Sequence, residues 1–137
     1  MQLTPYLGFN GQCEAAFKFY EQCLGGKIVA MFPFGEMPGA AEHVPAELHH
    51  RIMHARLQVG DAVLMGSDGP SEQIEEAKGL NVSLQVDDPA EAERIFHALA
   101  EGGAVRMPIE ETFWATRFGM VTDRFGTPWM INCEKAA

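Results

Sequence analysis

Apolar residues at Cys13, Ala16, Phe17, Tyr20 and Leu24 recur at the i, i+3, i+4, i+7 spacing that lines one face of a helix. The pattern predicts a helix over 11–24, with Asn10 as its cap and Gly25-Gly26 as its stop. A second helix is predicted over 89–101. Asp88-Pro89-Ala90-Glu91 reads as a capping box with proline at the first helical position, Ala92, Ile95, Phe96 and Leu99 share a face, and Gly102-Gly103 ends the run. Elsewhere the period drops to two. Met53, Ala55, Leu57 and Val59 alternate with His54, Arg56 and Gln58, and Val82, Leu84 and Val86 alternate with Asn81, Ser83 and Gln85. In each strand the apolar face packs on a helix. The polar face meets solvent or, in a sheet curved around a cavity, forms its lining.

The two helices match at a constant offset of 77: Glu14-Ala15 with Glu91-Ala92, Phe19 with Phe96, and Gly25-Gly26 with Gly102-Gly103. Each follows a strand-like segment, 2–9 or 80–87, and precedes three more. After the first come 27–34, 52–59 and 62–67, the last two joined by a Gly60-Asp61 hairpin turn; after the second come 105–111, 115–122 and 128–134. The chain therefore reads βαβββ twice, an α+β fold of curved mixed sheets around a cavity. A single domain over 1–137 is expected, with modules 1–67 and 80–137 and a polar, acidic connector over 68–79. Residues 35–51 have no period, which suits either a covering lid or a mobile surface excursion.

Length and an apolar fraction of 47% allow one core without disulfide or metal staples. Ten basic residues, scattered singly, against nineteen acidic ones give a formal charge of -9. That balance argues against nucleic acid and anionic membranes as partners, and could steer in cationic small molecules. Cys13, Cys23 and Cys133 are widely spaced, which suits reduced thiols in a cytoplasmic protein. Cys13 lies near a helix start, but its place on the apolar face reads as an inert buried thiol. No secretory signal, membrane-length apolar run, nucleophile elbow, Ser-His-Asp order or phosphate loop is visible.

Gly8-Phe9-Asn10-Gly11 with Glu14-Ala15 and Phe19-Tyr20, Met53-His54-Ala55 with Ser67-Asp68, Phe113-Trp114 through Arg117-Phe118-Gly119, and Asp123-Arg124-Phe125-Gly126-Thr127-Pro128-Trp129 stand in a telling order. Together they resemble the PhnB-like group of the vicinal oxygen chelate superfamily, which includes glyoxalase I, bleomycin-resistance proteins and extradiol dioxygenases. The group often bears a 3-demethylubiquinone methyltransferase label, yet the chain has no glycine-rich methyl-donor loop of the Rossmann kind. The superfamily's enzymes hold a divalent ion with one side chain from each of the first, fourth, fifth and eighth strands. Carried over, those positions fall on Pro5, about Leu64, Asn81 and Met130. Three of these offer no donor to a hard or borderline cation, so no metal or other cofactor is expected.

Candidate chemistry then rests on polar side chains. His54, mid-strand beside Arg56, is the candidate catalytic residue, as general base or hydrogen-bond donor, with a structural histidine as the alternative. Arg56, Asn81, Gln85, Trp114, Arg117 and Asn132 are the candidate ligand contacts. Arg117 suits a carboxylate, phosphate or enolate oxygen, or else an internal salt bridge with Asp68 or Glu110. Trp114, Phe118, Phe9, Phe32 and Phe34 are candidate pocket aromatics, with core packing as the commoner alternative, and Trp129 is a core candidate. His43, His49, His50 and His54 read as solvated side chains rather than a metal cluster. Asp68 and Asp123 read as turn formers. The resemblance implies small-molecule binding or metal-free catalysis in a homodimer. The alternatives are a lyase or dioxygenase with nonstandard metal ligands, and a protein that sequesters drugs.

Overall fold

A computed structural model describes residues 1–69 and 75–136. The chain divides into two compact units, Met1–Glu75 and Glu76–Ala137. Residues 70–74, in the expected connector, lie outside the described residues.

The first unit runs β1 (Tyr6–Phe9), α1 (Cys13–Leu24), β2 (Lys27–Pro33), α2 (Ala40–His43), β3 (Ile52–Val59) and β4 (Ala62–Asp68). Its sheet has the order β1-β4-β3-β2, with β1 parallel to β4 and the other pairs antiparallel. The second unit repeats this plan with β5 (Val82–Gln85), α3 (Pro89–Ala100), β6 (Ala104–Glu110), β7 (Ala115–Thr122) and β8 (Pro128–Glu134). Its order is β5-β8-β7-β6, again with one parallel pair, β5 with β8. The double βαβββ reading is thus realised strand for strand. β1 is shorter than the expected 2–9: Pro5 has no N–H to give the ladder, and only its carbonyl joins, accepting from the Met65 amide.

Each helix buries its apolar stripe on one face of its own sheet. In α1, Cys13, Ala16, Phe17, Tyr20 and Cys23 are buried, Cys23 taking the place expected for Leu24. In α3, Ala92, Ile95, Phe96 and Leu99 are buried, as the periodicity predicts. Glycine lets each helix approach closely. A Cβ on Gly66 would stand 2.8 Å from the Phe17 ring, and one on Gly119 would stand 2.7 Å from the Phe96 ring.

Both helix starts differ from expectation. Asn10 does not cap α1. The Asp68 carboxylate does, its Oδ1 accepting from the Gly11 and Cys13 amides at 2.8 and 3.0 Å, while Asn10 Oδ1 accepts from Arg51. At α3 the capping box does not close, because Glu91 turns outward to pair with Arg94 and Asp88 makes no side-chain cap bond. Residues 35–51 fold on themselves. Helical turns at Phe34–Glu36, Ala40–His43 and Ala46–Leu48 are closed by Phe34 N–H to Arg51 O and by His49 Nε2 against Val44 O.

Candidate functional site

With one face of each sheet covered by its helix, the chemistry available to a ligand lies on the other. In the first unit the register puts Tyr6, Met65, Arg56 and Ala30 in one row across β1, β4, β3 and β2. Phe32 stands opposite His54 in the next row and is 49% exposed. The alternation in β3 holds: Ala55 and Leu57 are fully buried against the helix side, and His54 and Arg56 occupy the open face. Tyr6 bridges to His54, its hydroxyl 3.1 Å from Nδ1 and its ring stacked at 5.8 Å. This bond ties up one ring nitrogen and leaves Nε2 to face outward chemistry. Arg56 has no ion-pair partner among the described residues.

In the second unit Ser83 and Gln85 of β5 pair with Met130 and Asn132 of β8, all on the open face. Asn132 Nδ2 donates to Gln85 Oε1 at 2.8 Å, and Gln85 Nε2 donates onward to Ser83 Oγ at 3.1 Å. Asn132 is only 9% exposed, and its Oδ1 is buried without a hydrogen-bond partner. Such an acceptor costs about 1–3 kcal/mol in lost hydration. Asn132 pairs in register with Phe118, whose ring meets Trp114 edge-on at 5.3 Å.

Two of the expected contacts are placed otherwise or partly engaged. Arg117 turns to the helix side, where its Nε donates to Glu93 Oε1 at 2.8 Å, so its salt-bridge partner is neither Asp68 nor Glu110. Asn81 accepts from Arg106, a residue that sequence reasoning did not single out. Arg106 reaches from β6 across two strands to the Val121 and Trp129 carbonyls, and no local pattern announces such a reach. Phe9 belongs to the core against Phe17 rather than to a pocket wall, while Phe34 borders a small apolar cavity of about 190 Å³ beneath the 34–51 turns. An open cavity of about 480 Å³ lies in the second unit between Gln85 and Glu134, and Gln85 alone of the expected contacts lines it.

The two aspartates do more than form turns. Asp68 and Asp123 are each 3% exposed. Asp68 also takes the Ile52 amide through Oδ2, and Asp123 takes the Phe125 and Thr127 amides and the Trp129 indole N–H. Each carboxylate thus organises three donors, one set tying α1 to its sheet and the other fixing the β7–β8 turn.

Cys13 is fully buried, and burial, followed by the charges of Asp68 and Glu14, pushes its thiol from 9.0 up to about 12. This is the inert thiol that the apolar stripe predicts. A group that holds its proton more tightly when folded stabilises fully below about pH 9 and loses that contribution as pH climbs toward about 12. Urea midpoints of the wild type should therefore fall between about pH 8 and about pH 11, and fall less steeply in Cys13→Ala. An identical slope in both proteins would contradict the assignment.

The superfamily's metal does not fit the donors present. Leu64 is 6% exposed on the helix side, so the fourth-strand position on the open face is Val63 or Met65, and neither supplies oxygen or imidazole nitrogen. Pro5 engages β4 through its carbonyl, and Asn81 is bonded to Arg106. No group of three or more His, Cys, Asp and Glu side chains among the described residues could hold a metal ion. His49 bonds the carbonyls of Val44 and Ala40, and His54 bonds Tyr6.

No helix among the described residues is long and apolar enough to cross a membrane. Comparison with known proteins agrees with the fold. The chain is 37% identical to Protein YjdN of Escherichia coli over 98% of its own length and 97% of that protein's. The crystal structure of PA1353 from Pseudomonas aeruginosa superposes with a TM-score of 0.89 at 54% identity, over 99% of both chains. A PhnB protein from Bacillus cereus, named for a 3-demethylubiquinone-9 3-methyltransferase, shares the fold at 21% identity and a TM-score of 0.81, over 97% of this chain and 99% of that one. The family model for this fold matches residues 3–131, and the chain belongs to the Glyoxalase/Bleomycin resistance protein/Dioxygenase superfamily.

Proposed function

We propose that the protein binds a small organic molecule on the open faces of its sheets without a metal, and that any chemistry there is proton transfer through His54. Superfamily membership supports the small-molecule role. The observation that carries the metal-free part is the placement of His54, held by Tyr6, beside the unpaired Arg56 on a face with no donor set for a divalent ion. Arg56 would take an anionic oxygen of the ligand, and His54 would hydrogen-bond or deprotonate a neighbouring atom. Gln85, Asn132 and Trp114 supply neutral ligand contacts on the second sheet. The Asn81 Oδ1 and the Arg117 Nε are already engaged, by Arg106 and Glu93, so a ligand would compete with those partners for them. The reading takes 1–137 as one domain and the protein as a cytoplasmic homodimer. Exposed Val105 and Phe113 of the second unit support a partner surface.

A thermal-shift panel of small carboxylates, phosphates and cationic dyes, run with a chelator present, tests this reading. Stabilisation by an anion that persists in chelator and weakens about 10- to 100-fold in Arg56→Ala is the expected result. Stabilisation by cationic compounds alone would overturn it in favour of drug sequestration, and stabilisation that the chelator abolishes would favour a metal enzyme.

A further inference from the structure

Asn132 Oδ1 is the only buried side-chain oxygen or nitrogen among the described residues that lacks a hydrogen-bond partner. Its amide nitrogen is committed to Gln85, and Gln85 is committed to Ser83, so the chain of amides runs away from the carbonyl and ends there as an unused acceptor. Native proteins rarely leave such an atom empty without a use for it.

The neighbouring side chains indicate what could fill it. Met107, Met120 and Met130 stand in register on three adjacent strands, one row along the open face from Phe118 and Asn132. Trp114 closes against Phe118. Thioethers are flexible and make favourable contacts with aromatic rings, so this row can give way to admit a flat apolar body and then pack on it. A bare carbonyl oxygen repels anions and accepts from neutral or cationic donors.

We infer that this face of the second sheet takes an aromatic molecule carrying one N–H or O–H donor, which is delivered to Asn132 Oδ1 while the methionine row packs on the ring. The inference rests on the reading that the open faces bind ligands, and it names the ligand class for this one.

Matched probes separate the donor from the ring: phenol against anisole, and indole against 1-methylindole. Binding is followed by the methionine methyl signals in NMR, together with the Asn132 side-chain amide signal. Phenol and indole should shift the Met107, Met120 and Met130 methyls and bind about tenfold or more tightly than their methylated partners. In Asn132→Leu the members of each pair should bind within about twofold of each other. Should that variant fail to fold, the wild-type ratios decide alone. Equal affinities within each pair, with the same methyl shifts, would remove the donor role of Asn132 and leave ligand binding on this face standing. Absence of shifts at those methyls with every probe would overturn this site, whereas the Arg56 reading stands or falls on the anion panel.

Discussion

Replacing Asp68 with alanine should cost about 3–5 kcal/mol of stability, the largest loss expected of any polar substitution in the first unit. Three amides, those of Gly11, Cys13 and Ile52, lose their acceptor at once, and two of those bonds lie in the buried interior. Water cannot replace the carboxylate at a position only 3% exposed. Asp68→Asn keeps one acceptor oxygen but turns an N–H₂ toward donors, so about half of the loss should remain. Urea unfolding with an unchanged m-value would measure both effects. A loss below about 1 kcal/mol for the alanine variant would show that α1 is held by its apolar stripe alone.

Trp129→Ala should cost about as much, 3–5 kcal/mol by the usual range for large-to-small core changes. The ring is fully buried on the helix side of β8, and its indole N–H donates to Asp123 Oδ2 at 2.9 Å. Trp129→Phe separates these contributions: it retains most of the packing and removes the bond to the carboxylate, for a loss of about 2 kcal/mol. If the phenylalanine variant were as stable as the wild type, Asp123 would be satisfied by the Phe125 and Thr127 amides alone.

Local patterns carried most of the architecture. The apolar stripe of α3, Ala92, Ile95, Phe96 and Leu99, needs nothing beyond helical spacing to be read, and β3 declares its faces because every second residue is polar. β7 does not. Phe118 and Met120 on one face are as apolar as Gly119 and Val121 on the other, and an irregularity in pairing between Ala115 and Arg117 shifts the count at its start. The side on which Arg117 emerges was therefore not legible. The cap of α1 was hidden for a different reason: Asp68 lies 55 residues beyond Cys13, and only the parallel pairing of β1 with β4 brings it there. Asn10, the neighbour with suitable chemistry, was the local answer and is used elsewhere. Tyr6 escaped notice because its role depends on crossing the sheet to His54, 48 positions away. Gln85 and Asn132, by contrast, followed from strand parity, although the unpaired oxygen of Asn132 did not.

We propose that this chain keeps the ligand-facing sheets of its superfamily and binds no metal on them. The most direct measurement is to equilibrate untagged protein with nickel, zinc, manganese and iron in turn, pass it through gel filtration, and determine the metal carried per chain. Far less than one ion per chain is expected for every metal, because no group of three or more His, Cys, Asp and Glu side chains among the described residues could hold one. Retention of one ion per chain, tight enough to survive the column, would contradict it.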